Sequence, residues 1–319
     1  MLDLKRLTIF REVARRRSFS GAADALNYSQ PAVSHQISRL ELEVGAQLLT
    51  RGTARGSVQL TEAGALLLAR AEALLDAAAS AEAELAVLTG AARAEVRLGA
   101  FATASATIVA EAIGELRRMD CTTRLTLVEG EAAETLEALR ARTIDVGVVF
   151  DDARNPLPDE PGIALSYRLD DPMLLALPRG HRLASAESVS LDELRDEDWI
   201  EGAGEETPCS LILIAACQDA GFEPRIAFNS GNFEVVQQLV AAGVGVALVP
   251  QLAVRAAHPG LALRRLSDAA PCRRVALAVR DDAVRPPEVD AVLARLEAAC
   301  ARWQSRAHRA SRSLAAPVQ

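Results

Sequence analysis

Residues 18–42 read SFSGAADALNYSQPAVSHQISRLEL, and this stretch predicts two short helices joined by a tight turn. Ser20 is expected to accept a hydrogen bond from a free backbone N–H and so to begin the first helix. Ser29 is the matching candidate for the second helix, where Pro31 is tolerated because the first-turn N–H that it lacks would be unpaired anyway. In that second helix, apolar residues spaced by four, three and four predict a buried stripe: Val33, Ile37, Leu40 and Val44.

The second helix would turn a polar face outward. That face carries short hydrogen-bonding side chains and one cation, at Gln30, Ser34, His35, Ser38 and Arg39. Such side chains suit the base edges and phosphates of a DNA major groove. An ordinary helical hairpin with a solvated face would show the same two helices, so the flanking sequence has to decide between the two interpretations.

The flanking sequence completes a winged helix-turn-helix. Before the hairpin, an apolar stripe indicates another helix that ends in the basic cluster 15–17, and residues 48–64 indicate a β-hairpin and the start of a further helix. In this order the chain resembles the N-terminal domain of LysR-type transcriptional regulators. The positions that carry the resemblance are Phe10, Ser18, Phe19, Ala22, Ala23, Leu26, Leu48, Arg51 and the runs 29–34, 36–37, 40–41 and 60–64. Leu49 stands where the family usually has Phe, and the wing between Arg51 and Leu60 is slightly longer than usual.

The outward face and the resemblance together predict the DNA contacts. The predicted DNA-contacting residues are Ser18, Ser29, Gln30, Pro31, Ser34, His35, Ser38, Arg39, Arg51 and Arg55. Gln30, Ser34 and His35 are expected to read bases. Arg39 and Arg51 would hold phosphates, and Arg55 would lie in or near a minor groove.

The charge distribution agrees with a DNA-binding head. The whole chain of 319 residues has a net charge of -8, which alone argues against nucleic acid. Residues 1–60, however, contain nine basic and five acidic residues, a net charge of +4, so the remainder carries -12. A basic head on an acidic body directs the head toward phosphates and keeps the body away from them.

Composition excludes several other classes of protein. The five cysteines are scattered and form no CxxC pair, so neither a disulfide framework nor a zinc site is predicted: Cys121, Cys209, Cys217, Cys272 and Cys300. The four histidines are equally far apart, and no metal or cofactor is expected. No apolar run is long enough to cross a bilayer, and the amphipathic N-terminus lacks the apolar core of a signal peptide. We therefore expect a cytoplasmic protein that does not contact membranes.

Residues 61–89 predict one long helix. They contain no proline and are rich in Ala, Leu and Glu, which favour helix. A near-heptad apolar stripe runs along this segment through Leu67, Leu74, Ala78, Ala81, Leu85 and Leu88. The stripe needs a partner, which is either the body of the same chain or a second copy. The resemblance identifies it as the linker helix through which the family dimerises, and a homodimer or homotetramer is expected because two DNA half-sites usually need two heads.

The rest of the chain alternates strands and helices, which is typical of α/β domains. Strands are predicted at 96–101, 124–128, 144–150, 173–178, 199–200, 244–250 and 274–279, and helices at 107–119, 132–142, 210–220, 233–242 and 287–302. The order resembles the family's effector domain, a two-lobed fold like that of periplasmic solute-binding proteins. The expected domains are a winged helix-turn-helix at 1–60, a linker helix at 61–90, an effector-binding domain at 91–302 and a disordered tail at 303–319. Lobe I would comprise 91–170 and 268–302, and lobe II 171–267.

A small effector is expected between the two lobes. Open parallel sheets bind ligands at the carboxyl ends of their strands, beside helix N-termini, where hydroxyl and backbone N–H groups can hold an anion. The candidate residues in these loops are Phe101, Thr103, Ala104, Ser105, Glu129, Gly130, Gly202, Thr207, Pro208, Cys209, Asn229 and Phe233. Each hydroxyl could instead serve only as a helix cap. We expect a small organic anion such as a carboxylate, although no loop arginine is evident as its partner.

Two other function classes are weaker. A free solute-binding protein would share residues 92–302 but would need export and would not carry a helix-turn-helix. An enzyme would need a nucleophile with a base, a metal set or a cofactor loop, and residues 243–245 lack the third glycine and the helix of a dinucleotide fingerprint. The chain is therefore predicted to be a non-enzymatic regulator that binds promoter DNA and its effector, with RNA polymerase as a further partner.

A thiol switch at Cys209 is the alternative mode of regulation. Peroxide-sensing members of the family that this chain resembles carry two cysteines in this part of lobe II. A position at a helix start would favour the thiolate of Cys209. Cys217 lies eight residues on, and in one helix the two Cα atoms would be about 12 Å apart, beyond the disulfide reach of about 7 Å. Cys217 is therefore expected to pack in the core.

Overall fold

The computed structural model describes residues 2–51, 58–89, 95–119, 123–202, 207–254, 258–267, 270–281 and 285–314. The chain divides into two compact units, Met1–Arg93 and Ala94–Gln319. The first is a winged helix-turn-helix with a long helix attached, and the second is a two-lobed α/β unit. This is the fold class that the sequence predicted.

The N-terminal unit consists of helices and one small hairpin. Its elements are α1 (Leu4–Arg16), α2 (Phe19–Leu26), α3 (Gln30–Val44), β1 (Leu49–Arg51), β2 (Val58–Leu60) and α4 (Glu62–Leu88). β1 and β2 pair antiparallel to form the wing. The residues at the tip of the wing, including Arg55, lie outside the described residues.

The caps of α2 and α3 determine where the helix-turn-helix begins and turns. The predicted cap at Ser20 is wrong, since the Ser18 hydroxyl accepts the Gly21 N–H at 3.2 Å and α2 begins two residues earlier. The predicted cap at Ser29 is confirmed by its hydrogen bond with the Ala32 N–H, at 3.4 Å. Between the helices Asn27 adopts the left-handed conformation, with φ of 54°, which asparagine tolerates better than most residues.

The predicted apolar stripe of α3 packs into the core of this unit. Val33, Ile37 and Leu40 are buried, and Val44 is half-buried. Leu49 is buried in the same cluster, so leucine fills this position of the wing with apolar packing. A side chain of α3 also holds the wing, because the Glu41 carboxylate accepts the N–H groups of Leu48 and Leu49 at 2.8 and 3.3 Å.

The predicted long helix is confirmed by α4, which has 27 residues. Gly64 near its start has no room for a side chain, because a Cβ there would lie 2.1 Å from the Leu48 carbonyl oxygen. The first turns pack on the helix-turn-helix core, with Ala71 fully buried. Farther along, Leu74 and Leu85 are 47% and 60% exposed. These two leucines of the stripe are therefore largely uncovered within one chain.

Lobe I of the second unit is built on a mostly parallel sheet. Its elements in chain order are β3 (Glu95–Ala100), α5 (Ala102–Ala104), a π-helical turn (Ser105–Val109), α6 (Ala110–Arg118), β4 (Arg124–Glu129), α7 (Ala132–Arg140) and β5 (Val146–Asp151). β3 lies between β4 and β5 and is parallel to both. The predicted strands are confirmed, but the first helical segment begins at Ala102 rather than at the predicted Thr107.

Two strands cross between the lobes. β6 (Ile163–Pro178) runs for 16 residues from lobe I into lobe II. It pairs with β12 (Cys272–Arg280) in its first half, and β12 also pairs with β5. Only 173–178 of β6 were predicted as a strand, because the first half alternates with polar residues such as Arg168 and Asp170.

Lobe II contains the far half of β6 and, among its described residues, four helical segments. Its elements are β7 (Ser188–Val189), a 3₁₀ turn (Leu191–Leu194), β8 (Asp198–Glu201), α8 (Pro208–Asp219), β9 (Arg225–Asn229), α9 (Phe233–Ala241), β10 (Ala247–Pro250), a 3₁₀ turn (Gln251–Ala253) and β11 (Leu261–Leu266). β10 and β11 flank β6, and β8 pairs parallel with β9. β7, β9 and β11 were not predicted.

The chain closes with α10 (Pro287–Leu314), which packs back onto lobe I. The Arg302 and Arg306 guanidinium groups bind the Glu111 carboxylate of α6. The expected disordered tail is therefore wrong for 303–314, where α10 continues and Arg306 binds Glu111 of α6. Residues 315–319 lie outside the described residues.

Candidate DNA-reading face and interlobe site

The predicted DNA-reading residues share one face of α3. Exposed side chains on that face are Gln30, Pro31, Ser34, His35, Ser38 and Arg39. The buried stripe on the opposite side fixes the rotation of the helix, so these side chains point away from the core. Ser18 and Ser29 are the caps of α2 and α3, and hydroxyls in that role also fix helix N-termini that can meet phosphates.

The two other predicted DNA-contacting arginines belong to the wing. Arg51 is the last residue of β1, and Arg55 falls outside the described residues. Among nearby cations, Arg6 is already held by the Gln36 and Glu43 side chains, and Arg16 by Glu12. Arg39 has no such partner among the described residues, which leaves its charge available for a phosphate.

A small cavity, which we call the front cavity, lies where the two lobes meet. Its volume is about 40 Å³, and its lining residues are Phe101, Ala102, Thr103, Glu131, Phe150, Thr207, Pro208, Cys209, Gly231, Phe233 and Arg273. Most of these residues follow the carboxyl ends of β3 and β4 in lobe I and of β8 and β9 in lobe II, while Phe150 lies near the end of β5 and Arg273 lies in β12. That is where an open α/β sheet places its ligand.

Half of the predicted effector-contacting residues line the front cavity. They are Phe101, Thr103, Thr207, Pro208, Cys209 and Phe233. Ala104 and Ser105 are instead buried in lobe I, where the Ser105 hydroxyl donates to the Ala100 carbonyl. Glu129, Gly130, Gly202 and Asn229 flank the cavity without lining it, and Gly202 makes room for the ring of Phe233, which a Cβ would approach to 2.8 Å.

Arg273 is the principal residue that the sequence did not reveal. It is 1% exposed, and its guanidinium lies 5.1 and 4.5 Å from the ring centroids of Phe101 and Phe150. Its NH2 group donates to the Thr103 hydroxyl at 3.0 Å, and its NH1 group contacts the Cys209 sulfur at 3.8 Å. The arginine beside this cavity thus comes from a crossing strand rather than from a loop.

Asp171 holds Arg273 in place. The two residues are direct partners on β6 and β12, and the Arg273 Nε donates to the Asp171 carboxylate at 3.0 Å. The same carboxylate accepts the Leu252 N–H at 2.8 Å. Burial lowers the pKa of Arg273, but Asp171 and Cys209 together outweigh burial, so the pKa lies above its ordinary value and the guanidinium stays charged.

The Cys209 thiol faces this arginine but is not activated by it. Cys209 is the second residue of α8, with the Thr207 hydroxyl accepting the Ser210 N–H at 3.4 Å. Burial of the sulfur raises the pKa of Cys209, and Arg273 only partly opposes the rise. The expectation that the helix start favours a thiolate is therefore wrong, because desolvation dominates.

Glu131 brings a carboxyl group to the wall of the front cavity. Part of its surface remains exposed, yet desolvation of the carboxyl raises the pKa of Glu131, while the charge of Arg273 opposes the rise.

Among the described residues, no group of three or more His, Cys, Asp and Glu side chains could hold a metal ion. No helix of the described chain is both long and apolar enough to span a membrane.

These features define a class of protein, in which a DNA-reading helix-turn-helix is joined to a two-lobed ligand-binding unit. A family profile described as "Bacterial regulatory helix-turn-helix protein, lysR family" matches residues 4–65, and one described as "LysR substrate binding domain" matches residues 89–301. The chain belongs to the LysR family of DNA-binding transcriptional regulators, which pair a helix-turn-helix with an effector-binding domain.

Relatives along most of the chain agree with this family. The chain is 32% identical over 270 residues to the HTH-type transcriptional regulator AlsR of Bacillus subtilis, covering 83% of this chain and 86% of the relative. It is 33% identical over 286 residues to a probable hydrogen peroxide-inducible genes activator of Mycobacterium avium, covering 88% of each. A solved structure of the Corynebacterium glutamicum OxyR C206 mutant is 27% identical, with a TM-score of 0.59 over 97% of this chain and 94% of that one.

Proposed function

We propose that the regulator's effector binds in the front cavity and is a small organic anion. The observation that carries this proposal is Arg273, which lies where both lobes meet, pairs with Asp171 through Nε and NH2, and does not use NH1 in that pair. Its NH1 group and the Thr103 hydroxyl face the cavity and could share a carboxylate. Charge-assisted hydrogen bonds of this kind are stronger than neutral ones and select anions.

Effector binding would require the lobes to move. A volume of about 40 Å³ has room for about one water molecule, whose share of liquid volume is ~30 Å³, and not for an organic acid. The ligand would therefore bind a wider arrangement of Phe101 and Phe233 and shift the population toward it. A changed angle between the lobes would change the spacing of paired DNA-binding heads and thus operator binding.

The remaining roles follow from this assignment. We infer that the chain acts as a regulator without enzymatic activity and without a cofactor or metal, since effector binding and DNA binding need no catalytic group. It would work in the cytoplasm, where promoter DNA and RNA polymerase are its partners. Relatives named as transcriptional regulators support the inference.

A thiol-based response at Cys209 is the second candidate. It is favoured by the arginine 3.8 Å from the sulfur and by a relative named as a hydrogen peroxide-inducible genes activator. The raised pKa of Cys209 weighs against it, because the thiolate is the reactive form. The anion effector therefore stands first.

The decisive experiment is an induction assay with a Thr103→Val variant. DNA binding would be followed by gel shift on the promoter that flanks the gene, with and without members of a panel of small carboxylates. Thr103→Val should abolish the response to the active carboxylate and leave basal DNA binding unchanged. Thr126→Val, on β4 away from the cavity, is the matched control. An unchanged response in Thr103→Val would remove Thr103 from the effector site.

A further inference from the structure

A second and larger cavity lies on the other face of the crossing strands. We call it the back cavity; its volume is about 550 Å³. Successive side chains of a strand point to opposite faces. Asp171 and Arg273 face the front cavity, so their neighbours Asp170, Cys272 and Arg274 face the back cavity. The two cavities thus share the crossing strands as a common wall.

The lobe II side of the back cavity is apolar and belongs mainly to α8. Ile212, Ala215, Ala216 and Asp219 follow the three-and-four spacing of one helix face. The small alanine side chains at 215, 216 and 220 leave open volume that larger residues would fill. Leu191 also lines the cavity. A volume of this size is within the range of about 300–1,000 Å³ that small-molecule sites occupy.

The charged groups around this apolar wall are unbalanced. Two arginines and three aspartates line the cavity. Each arginine already has an acidic partner: Arg154 donates NH1 to Asp219 at 3.1 Å, and Arg274 donates Nε and NH2 to Asp151 at 2.8 and 2.9 Å. Within the described chain, Asp170 has neither an ion pair nor a side-chain hydrogen bond. The uncompensated charge at the wall is therefore negative.

A neighbouring thiol responds to the same negative charge. Cys272 lies on the strand next to Asp170, and its pKa is raised to about 11, first by burial and then by the charges of Asp170 and Asp171. The part of this rise that comes from Asp170 and Asp171 reflects a negative electrostatic potential, which favours a cation. The apolar face of α8, opposite Asp170, would meanwhile accept a hydrocarbon body.

We propose that the back cavity binds a small organic cation, with its ammonium group on the Asp170 carboxylate and its apolar body against Ala215 and Ala216 of α8. This site goes beyond the effector function and does not depend on it, because none of its lining residues lines the front cavity. Asp170 and Cys272 belong to the crossing strands and α8 to lobe II, so the ligand would touch the hinge and one lobe together.

The position of the site gives the ligand a way to influence the front cavity. The Arg154–Asp219 ion pair joins a lobe I loop to the end of α8, across the back cavity. If the lobes pivot on the crossing strands, a ligand that widens the back cavity narrows the front one. Binding at the two sites would then be coupled, and the coupling would be reciprocal.

The test uses three probes that share one hydrocarbon body: phenethylamine, 2-phenylethanol and 3-phenylpropionate. Calorimetric titration of the full chain at pH 7, repeated in Ala215→Leu to identify the binding that belongs to the back cavity, should give the tightest binding there for the amine and the weakest for the carboxylate. Asp170→Asn should weaken the amine about tenfold, since it removes a charged hydrogen bond, and should leave the alcohol unchanged. Ala215→Leu should weaken all three probes because it fills the apolar wall.

A matched control is Asp159→Asn, which removes an exposed carboxylate that does not line the cavity and should leave amine binding unchanged. Equal affinity for the three probes would overturn the proposal. So would amine binding that survives Asp170→Asn, or that falls equally in Asp159→Asn, because the charge would then act at long range or elsewhere. Tryptophan fluorescence of each variant checks that it is folded.

Discussion

Asp171 and Arg273 face each other across the two strands that connect the lobes, and both side chains are withdrawn from solvent, at 0% and 1% exposure. The pair links several parts of the second unit, because Arg273 contacts Thr103 of lobe I and Cys209 of lobe II, and Asp171 accepts the Leu252 N–H. A buried pair of this kind is not automatically stabilising, but losing one partner leaves the other charge unpaired in the core.

Asp171→Asn is therefore expected to lower the free energy of unfolding of the second unit by about 3–5 kcal/mol. Trp199 and Trp303, the two tryptophans of the chain, both belong to this unit, so denaturant unfolding followed by their fluorescence reports on it. Asp198→Asn is the control. It breaks the exposed pair with Arg225 and should cost less than about 1 kcal/mol. An equal loss of unfolding free energy in the two variants would show that the buried pair does not stabilise the strands that connect the lobes.

Ser34→Ala and Arg39→Ala should affect DNA binding in different ways. Both side chains are exposed on the outward face of α3. Ser34→Ala should change the preference among operator sequences, because a hydroxyl on a base edge carries sequence information. Arg39→Ala should weaken binding to all sequences and reduce the salt slope by about one ion. Arg118→Ala, in the second unit, is the control in fluorescence anisotropy titrations. A uniform loss from both α3 variants would undo the division between base and phosphate contacts.

The exposed half of the α4 stripe predicts the dimer seam. Leu74 and Leu85 are uncovered within one chain, and a second copy would bury them. Leu74→Asp combined with Leu85→Asp would place charge in that seam and should convert the assembly to monomers in sedimentation experiments. Ala79→Asp, on another side of the same helix, should leave the assembly intact. An unchanged sedimentation coefficient for the double variant would exclude α4 as the interface.

Local sequence patterns predicted the helix-turn-helix far better than the two strands that connect the lobes. The stripe Val33–Ile37–Leu40 and the cap at Ser29 are signals within one helix, and both are confirmed. Asp171 and Arg273 are 102 residues apart in sequence and meet only because β6 and β12 pair. The alternating polar residues of β6 resembled a loop, so its first half and the buried arginine beside it could not be predicted. The two arginines at 273 and 274, directly before the apolar run 275–279, were the available signal.

Glu131 should make carboxylate binding depend on pH. Desolvation raises the pKa of this carboxyl above its ordinary value, so its negative charge is lost earlier as the pH falls. Loss of that charge at the cavity wall favours an anionic ligand, and the affinity for the active carboxylate should therefore rise as the pH is lowered from 7 toward 5. Glu131→Gln should bind more tightly at pH 7 and lose most of this dependence. Calorimetry at several pH values measures this pH dependence of the affinity, and Glu129→Gln is the control. If Glu131→Gln keeps the same pH dependence, another group is responsible for it.

The two cysteines of α8 test the alternative of a thiol switch. Cys209 and Cys217 lie eight residues apart in one continuous helix, as expected, which puts their Cα atoms about 12 Å apart when a disulfide needs about 7 Å or less. Cys217 is 0% exposed within the core of lobe II, and burial raises its pKa to about 12. Almost none of it is therefore thiolate at neutral pH, and the predicted core position of Cys217 is confirmed.

A Cys209–Cys217 bridge would require α8 to unwind. Ile212, Leu213 and Ala216 are buried between the two cysteines, and exposing the two larger side chains would cost several kcal/mol at ~1.5–3 kcal/mol each. We therefore expect Cys217→Ser to leave the DNA footprint unchanged before and after mild peroxide treatment, with Cys300→Ser, a buried thiol of lobe I, as the matched control. Mass spectrometry of the peroxide-treated wild-type protein shows directly whether a disulfide links Cys209 to Cys217. A reversible Cys209–Cys217 peptide that forms together with a changed footprint would contradict the prediction, because it would show that oxidation supplies enough free energy to unwind this apolar helix.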